Sequence, residues 1–157
     1  RHASPTLCDF TRPTDLAGTA SDPVNLVFLG DADPRQVRQA LMALDGDRSA
    51  YGFPNVFPFN CTWTDAIGRH QTAWARAERW QGSAIQMACG DYGSLRFHLR
   101  LFRQGRRTLG NVHFEVLIPG TTDHEVLAWE FAELFVTADA VRSGVLVAIP
   151  PYLRSIA

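Results

Sequence analysis

Hydrophobic positions near the start of the chain predict one buried strand and one amphipathic helix. Val24 to Leu29 is a nearly continuous apolar run that ends at Gly30, which is typical of a central strand covered on both faces. A helix is predicted over 34–45, because Asp33 is a favourable N-cap and Pro34 suits the first helical position. Its core-facing stripe consists of Val37, Ala40, Leu41 and Leu44.

Alternating polar and apolar residues predict three further strands in the middle of the chain. They cover 83–89, 95–103 and 108–118, with turn signals at Gly90-Asp91-Tyr92-Gly93 and at Gln104-Gly105. Short strands joined by such turns are typical of an antiparallel meander. The sheet is therefore expected to be small and mostly antiparallel.

A second helix is predicted over 123–137, where Thr122 and Glu125 form a capping-box pattern. Leu127, Phe131, Leu134 and Phe135 recur at helical spacing, while Val126, Trp129 and Val136 fall on the opposite side. A helix that is apolar on two sides is either sandwiched within the fold or covered by a partner. The predicted fold class is α+β, with the sheet packed against two helices.

The other segments carry weaker signals. Residues 1–22 are predicted to form an extended arm, and 23–157 a single domain. Residues 47–62 combine aromatic side chains with Gly and Pro, which indicates a long anchored loop. Trp63 to Trp80 is compatible with a helix or with strands. No run approaches the roughly 20 apolar residues of a membrane helix.

Composition excludes several classes of function. The net charge is −1, from 15 basic and 16 acidic residues, so no positive field favours nucleic acid. Every basic residue is arginine, which excludes a Schiff-base lysine and a P-loop and hints at a GC-rich bacterial genome. The chain also lacks a G-x-S-x-G motif, so nucleophilic serine catalysis is unsupported.

Three cysteines, Cys8, Cys61 and Cys89, lack the spacing of a zinc site. The chain begins Arg1-His2-Ala3 without a methionine, as a mature exported product or a trimmed chain would. We therefore expect an extracytoplasmic location: periplasm, cell surface or secreted. In that case a Cys61–Cys89 disulfide is favoured. The alternatives are a disulfide from Cys8 that holds the N-terminal arm, or three buried free thiols.

Two of the predicted strands turn polar side chains to one face. Alternation places Arg96, His98 and Arg100 there from one strand, and Asn111, His113 and Glu115 from the next. If Gln104-Gly105 is a two-residue turn, His98 lies opposite Asn111 and Arg96 opposite His113.

This polar face has two interpretations. In the first, it is the solvated surface that an antiparallel sheet often carries. In the second, it forms a centre for one divalent metal, with zinc as the first choice. The metal ligands would be His98, His113 and His124; the catalytic groups would be His113, Glu115 and Asp123; and Arg96 and Arg100 would bind an anion.

Several short motifs resemble the LssY C-terminal domain. They are Asp22-Pro23-Val24-Asn25-Leu26-Val27-Phe28-Leu29-Gly30, Gly68-Arg69-His70-Gln71 and His98-Leu99-Arg100-Leu101-Phe102, followed by His113 and by Asp123 before the last predicted helix. The resemblance covers about 22–137. That family occurs in bacteria, often fused behind proteins that look like lipid phosphatases, and its resemblance implies an envelope context rather than a known activity.

Two functions are therefore expected from the sequence. The first is an exported binding or accessory subunit without chemistry or cofactor, which contacts a protein partner or its own copy through Trp129, Phe57, Phe59 and Tyr152. The partner is compatible with a membrane-associated protein. The alternative is a metal-assisted hydrolase that acts on a phosphate or carboxylate substrate.

Overall fold

Within the part of the chain that the structure describes, seven strands form one antiparallel sheet, and two α-helices pack on one of its faces. The computed structural model describes residues 24–66, 85–104, 106–145 and 147–148. The strands are β1 (Leu26–Phe28), β2 (Trp63–Asp65), β3 (Ile85–Gly90), β4 (Leu95–Gln104), β5 (Arg107–Leu117), β6 (His124–Ala128) and β7 (Val147–Ala148), and the helices are α1 (Pro34–Met42) and α2 (Glu130–Ser143). The strand order is β2-β3-β4-β5-β1-β7, and β6 also pairs with β5.

This architecture confirms the predicted α+β class with a mostly antiparallel sheet. Strands lie in each of the four segments where the sequence predicts them. Helix α1 begins as predicted: the Gln36 backbone N–H donates to Asp33 Oδ1 at 2.9 Å, and the Asp33 N–H donates to Gln36 Oε1 at 2.8 Å. These reciprocal bonds satisfy two donors that a helix start otherwise leaves exposed.

The predicted helix over 123–137 is wrong in its first part. Residues His124–Ala128 form strand β6 against the end of β5, and the helix begins only at Glu130 and continues to Ser143. A segment of five residues is too short for the spacing of its apolar residues to distinguish a helix from a strand, and pairing with β5 favours the strand here. The expected capping box is not formed, since Thr121 rather than Thr122 organises the turn by donating its hydroxyl to the Ile118 carbonyl.

The register between β4 and β5 is shifted by two residues from the prediction. Pairing begins at Gln104↔Arg107, and His98 lies opposite His113 and Arg96 opposite Glu115. A shift of this size moves each side chain two residues along the partner strand. It therefore keeps every side chain on its predicted face.

The hydrophobic core lies between the helices and one face of the sheet. Phe97 of β4 stacks on Phe135 of α2 with ring centroids 3.8 Å apart and an interplanar angle of 6°. Val37 and Leu41 of α1 are buried in the same cluster. On the far side of α2, Leu134 remains 57% exposed, although the sequence predicts it in the core-facing stripe.

A buried ion pair connects the core to the long loop. Arg48 and Asp139 are both 0% exposed, and Arg48 Nη2 lies 2.8 Å from Asp139 Oδ2. Arg48 Nη1 donates to the backbone carbonyls of Phe59 at 2.6 Å and Cys61 at 2.7 Å. The indole N–H of Trp63 donates to Asp139 at 2.7 Å. Four segments of the chain therefore meet at one arginine–aspartate pair.

The favoured cysteine pairing is present. A disulfide joins Cys61 to Cys89, with Cα atoms 5.3 Å apart. It links the end of the long loop to β3, beside Arg48. Cys8, the predicted arm over 1–22, the ambiguous segment around Trp74 and Trp80, and Tyr152 lie outside the described residues.

None of the helices in the described part of the chain is long and apolar enough to cross a membrane.

Arg48→Met is expected to lower the free energy of unfolding by about 3–5 kcal/mol, because it leaves the buried Asp139 carboxylate without its cation. Denaturant unfolding with the disulfide intact measures this loss. The matched control is Arg38→Met, whose ion pair with Asp65 is partly exposed, at 32% and 45% of the two side chains. Equal losses in the two variants would contradict the central role of Arg48.

Candidate metal centre

The polar face of the sheet is buried. Arg96, His98, Arg100, Asn111, His113 and Glu115 are all at most 6% exposed. The interpretation of this face as a solvated surface is therefore wrong. Buried ionisable groups require partners, because each loses its hydration.

Glu115 of β5 is the centre of the group. Its Oε1 lies 2.5 Å from His113 Nε2 and 3.4 Å from His98 Nδ1. Its Oε2 accepts a hydrogen bond from Arg96 Nε at 2.6 Å and lies 3.7 Å from His124 Nδ1. One carboxylate thus contacts an arginine and faces three imidazoles.

A β-bulge brings His124 to this face. Phe114 pairs with Ala128 but Glu115 pairs with Val126, so Leu127 is the extra residue on β6. A one-residue shift turns each following side chain to the other face of the sheet. The bulge therefore places His124 on the same side as Glu115, where regular pairing would have placed Glu125.

Neighbouring acceptors orient two of the imidazoles. His124 Nε2 lies 2.9 Å from the Tyr92 backbone carbonyl, which can only accept, so this nitrogen carries the proton. His98 Nε2 is held in the same way by Gln86 Oε1 at 3.1 Å. In both rings Nδ1 is then the nitrogen that faces Glu115, and such outer-sphere acceptors are typical of metal-binding histidines.

The protonation states favour metal binding. Burial, assisted by the positive charge of Arg100, lowers the pKa of His98 from 6.5 to about 3, so its imidazole is neutral at pH 7. Burial alone would raise the pKa of Glu115, but its interactions with His113 and His98 outweigh this and hold that pKa below its ordinary value. Neutral imidazole and ionised carboxylate are the forms that bind a cation.

The spacing of the donor atoms suits one metal ion. One ligand atom each from His98, His113 and Glu115 lies within 4.8 Å of the other two. Ligands bound tetrahedrally to zinc at about 2.0–2.1 Å are roughly 3.3 Å apart. The 3.4 Å between His98 Nδ1 and Glu115 Oε1 is close to this value.

Not every residue predicted for the site joins it. Asp123 is exposed on the turn before β6, where its backbone carbonyl accepts a hydrogen bond from Ile118. Arg100 is buried on the same face as His98, opposite Gln86 and Asn111. Gln86 and Tyr92 also contact the site and were not predicted from the sequence. The alternation of β3, extended across the sheet, would have placed Gln86 on the polar face.

The residues predicted for a partner interface occupy different environments. The Trp129 ring contacts His113 edge-on, with centroids 5.4 Å apart, so it forms one wall of the centre. Phe59 packs against Phe53 and Phe131 in the core. Phe57 is 48% exposed.

Comparisons with known proteins give no match: no family model, no curated protein and no solved structure is similar to this chain. The resemblance to the LssY C-terminal domain stays a prediction.

Acid is expected to destabilise the metal-free protein through His98. From pH 6.5 down to about 3 the unfolded chain binds a proton that the folded protein excludes, so this contribution to stability falls across that window. Unfolding measured in chelator at a series of pH values, for the wild type and for His98→Gln, isolates the effect as a difference. Parallel pH profiles for the two proteins would contradict it.

Proposed function

We propose that this domain binds a divalent transition metal, zinc first, through His98, His113 and Glu115. The observation that supports it most is the meeting of these donors on a buried face, within 4.8 Å of one another. Two imidazoles and a carboxylate form a donor set common in zinc sites with three protein ligands. The bacterial, extracytoplasmic setting is part of the same proposal, supported by the Cys61–Cys89 disulfide and the all-arginine composition.

The direction of the ring nitrogens supports a cation between the rings and the carboxylate. The acceptors at Nε2 leave the Nδ1 atoms of His98 and His124 facing the oxygens of Glu115, at 3.4 and 3.7 Å. A metal ion at this position attracts the carboxylate and the nitrogen lone pairs together. Arg96 neutralises part of this charge from the other side through its 2.6 Å contact.

Three protein ligands leave a coordination position open. In such centres the metal lowers the pKa of a bound water to about 7 and polarises a substrate oxygen. Metal-assisted hydrolysis of a phosphate or carboxylate substrate is therefore the reaction class that we assign to the centre. His124, 3.7 Å from Glu115, is positioned beside the ligands to exchange a proton or to serve as a fourth ligand.

The wild-type protein is expected to bind about one equivalent of Zn²⁺, and Glu115→Gln to weaken this by more than about tenfold, since it removes the anionic ligand. Isothermal titration calorimetry measures both.

Glu125→Gln is the matched control, because this exposed carboxylate on β6 lies on the opposite face. If Glu115→Gln does not fold, as judged by circular dichroism, His98→Gln takes its place. Wild-type protein that stays metal-free in native mass spectrometry after zinc loading would reject the proposal.

The accessory-subunit function is the second candidate, and exposed apolar residues on the long loop favour it. Val56 and Phe57 are 58% and 48% exposed and adjacent. Adjacent exposed hydrophobic residues mark interaction surfaces more often than single ones do. A second copy of the chain is the simplest partner to test.

A Val56→Ser/Phe57→Ser double variant is expected to weaken self-association by removing this apolar pair. Sedimentation velocity over a range of concentrations measures the effect. Leu134→Ser, which alters an equally exposed side chain on α2, is the control. A wild-type protein that is monomeric at every concentration would exclude a homo-oligomer through this loop.

A further inference from the structure

We infer that the exogenous ligand of the metal centre is an oxyanion, which gives one oxygen to the metal and another to the guanidinium of Arg96. This inference rests on the proposed metal-binding function and adds to it the side chain that binds the ligand and the way in which the ligand is held. It depends on three features of the structure: the orientation of Arg96, the exposure of the side chains around it and the charge of the metal-loaded centre.

Arg96 is held in place on two sides. Its Nε donates to Glu115 Oε2 at 2.6 Å, and its guanidinium carbon lies 5.1 Å from the centre of the Tyr92 ring. Its Nη1 and Nη2 atoms form no hydrogen bond to the residues that the structure describes. A guanidinium fixed through Nε presents its terminal N–H groups as a planar pair of donors, which suits the oxygens of a phosphate or carboxylate.

Two of the partly exposed residues around the centre, Tyr92 and His124, lie beside Arg96. The side chain of His124 is 10% exposed, against 8% for Arg96, 7% for His98 and 4% for His113 and Glu115. A ligand that enters beside Tyr92 and His124 therefore meets Arg96 next to the metal position.

Charge favours an anion in the same place. A divalent metal adds two positive charges beside Arg96, and Glu115 is the one carboxylate that the described residues bring into contact with both. The centre formed by the metal, Arg96 and Glu115 is then positive in a buried environment, where an uncompensated charge is costly. An oxyanion that bridges the metal and Arg96 compensates it.

Cobalt-loaded protein provides the test, because the visible absorption of protein-bound Co²⁺ reports its coordination. Inorganic phosphate and acetate are titrated separately into the cobalt-loaded wild type. We expect the spectrum to change and saturate with at least one of them, and Arg96→Gln to weaken that binding by about tenfold or more while the cobalt remains bound. Saturation by phosphate alone assigns a phosphate ligand, and saturation by acetate alone a carboxylate ligand; both outcomes support the inference.

Two further variants keep the test decisive. Arg103→Gln, which alters an exposed arginine of the same strand, should leave the titration unchanged. Arg96→Lys keeps the positive charge beside Glu115 but lacks the planar donors, so its anion affinity should also fall; it decides the question if Arg96→Gln does not fold.

The failures are distinguishable. A wild-type protein that binds no Co²⁺ overturns the proposed function and this inference together. Bound cobalt with a spectrum indifferent to both anions overturns the inference alone. So does an Arg96→Lys protein with wild-type anion affinity, or metal-free protein that binds phosphate as tightly as the loaded protein does.

Discussion

The buried pair of Arg48 and Asp139 is the interaction on which the remaining architecture depends. Asp139 belongs to α2, and Arg48 fixes both the loop carbonyls and the disulfide end of that loop. Both groups are fully hydrogen-bonded, which offsets the cost of burying two charges. The same helix begins next to Trp129, about 15 Å along the helix axis from Asp139. The Trp129 ring contacts His113. The ion pair in the core on one face of the sheet thereby helps to fix one wall of the candidate metal centre on the other face.

Asn25 supplies a second, smaller constraint near the centre. Its side chain accepts from the Val112 N–H and donates to the Val112 carbonyl, each at 2.9 Å, and also donates to Glu133 of α2 at 3.0 Å. These bonds fix β1, β5 and α2 to one another immediately before His113. Precise placement of a metal ligand requires such a rigid support, because donor atoms a fraction of an ångström out of position lose affinity.

The sequence was sufficient for the local features and insufficient for the long-range ones. Period-two alternation correctly predicted which residues of β4 and β5 share the polar face. The predicted strand register was wrong by two residues, and an even shift leaves every side chain on the same face of the sheet. It could not predict that the face is buried, since burial depends on distant segments. The contact between Arg48 and Asp139 spans 91 positions and left no local pattern. Strand β6 was mistaken for a helix because the choice was made by pairing with β5.

The two buried polar clusters differ in a way that separates support from function. Around Arg48 and Asp139 every contact joins a donor to an acceptor, so the cluster is complete within the protein. Around Glu115, Arg96 and His113 contact the carboxylate at 2.6 and 2.5 Å, whereas the Nδ1 atoms of His98 and His124 lie 3.4 and 3.7 Å from it while Gln86 and Tyr92 hold the opposite ring nitrogens. A cluster built only for stability is expected to close such contacts, since a short hydrogen bond to a buried carboxylate is strong. A gap of this size between oriented imidazoles and a carboxylate matches the separation of two ligands on one metal ion, and this difference between the clusters is the ground on which we propose a metal at Glu115 and none at Asp139.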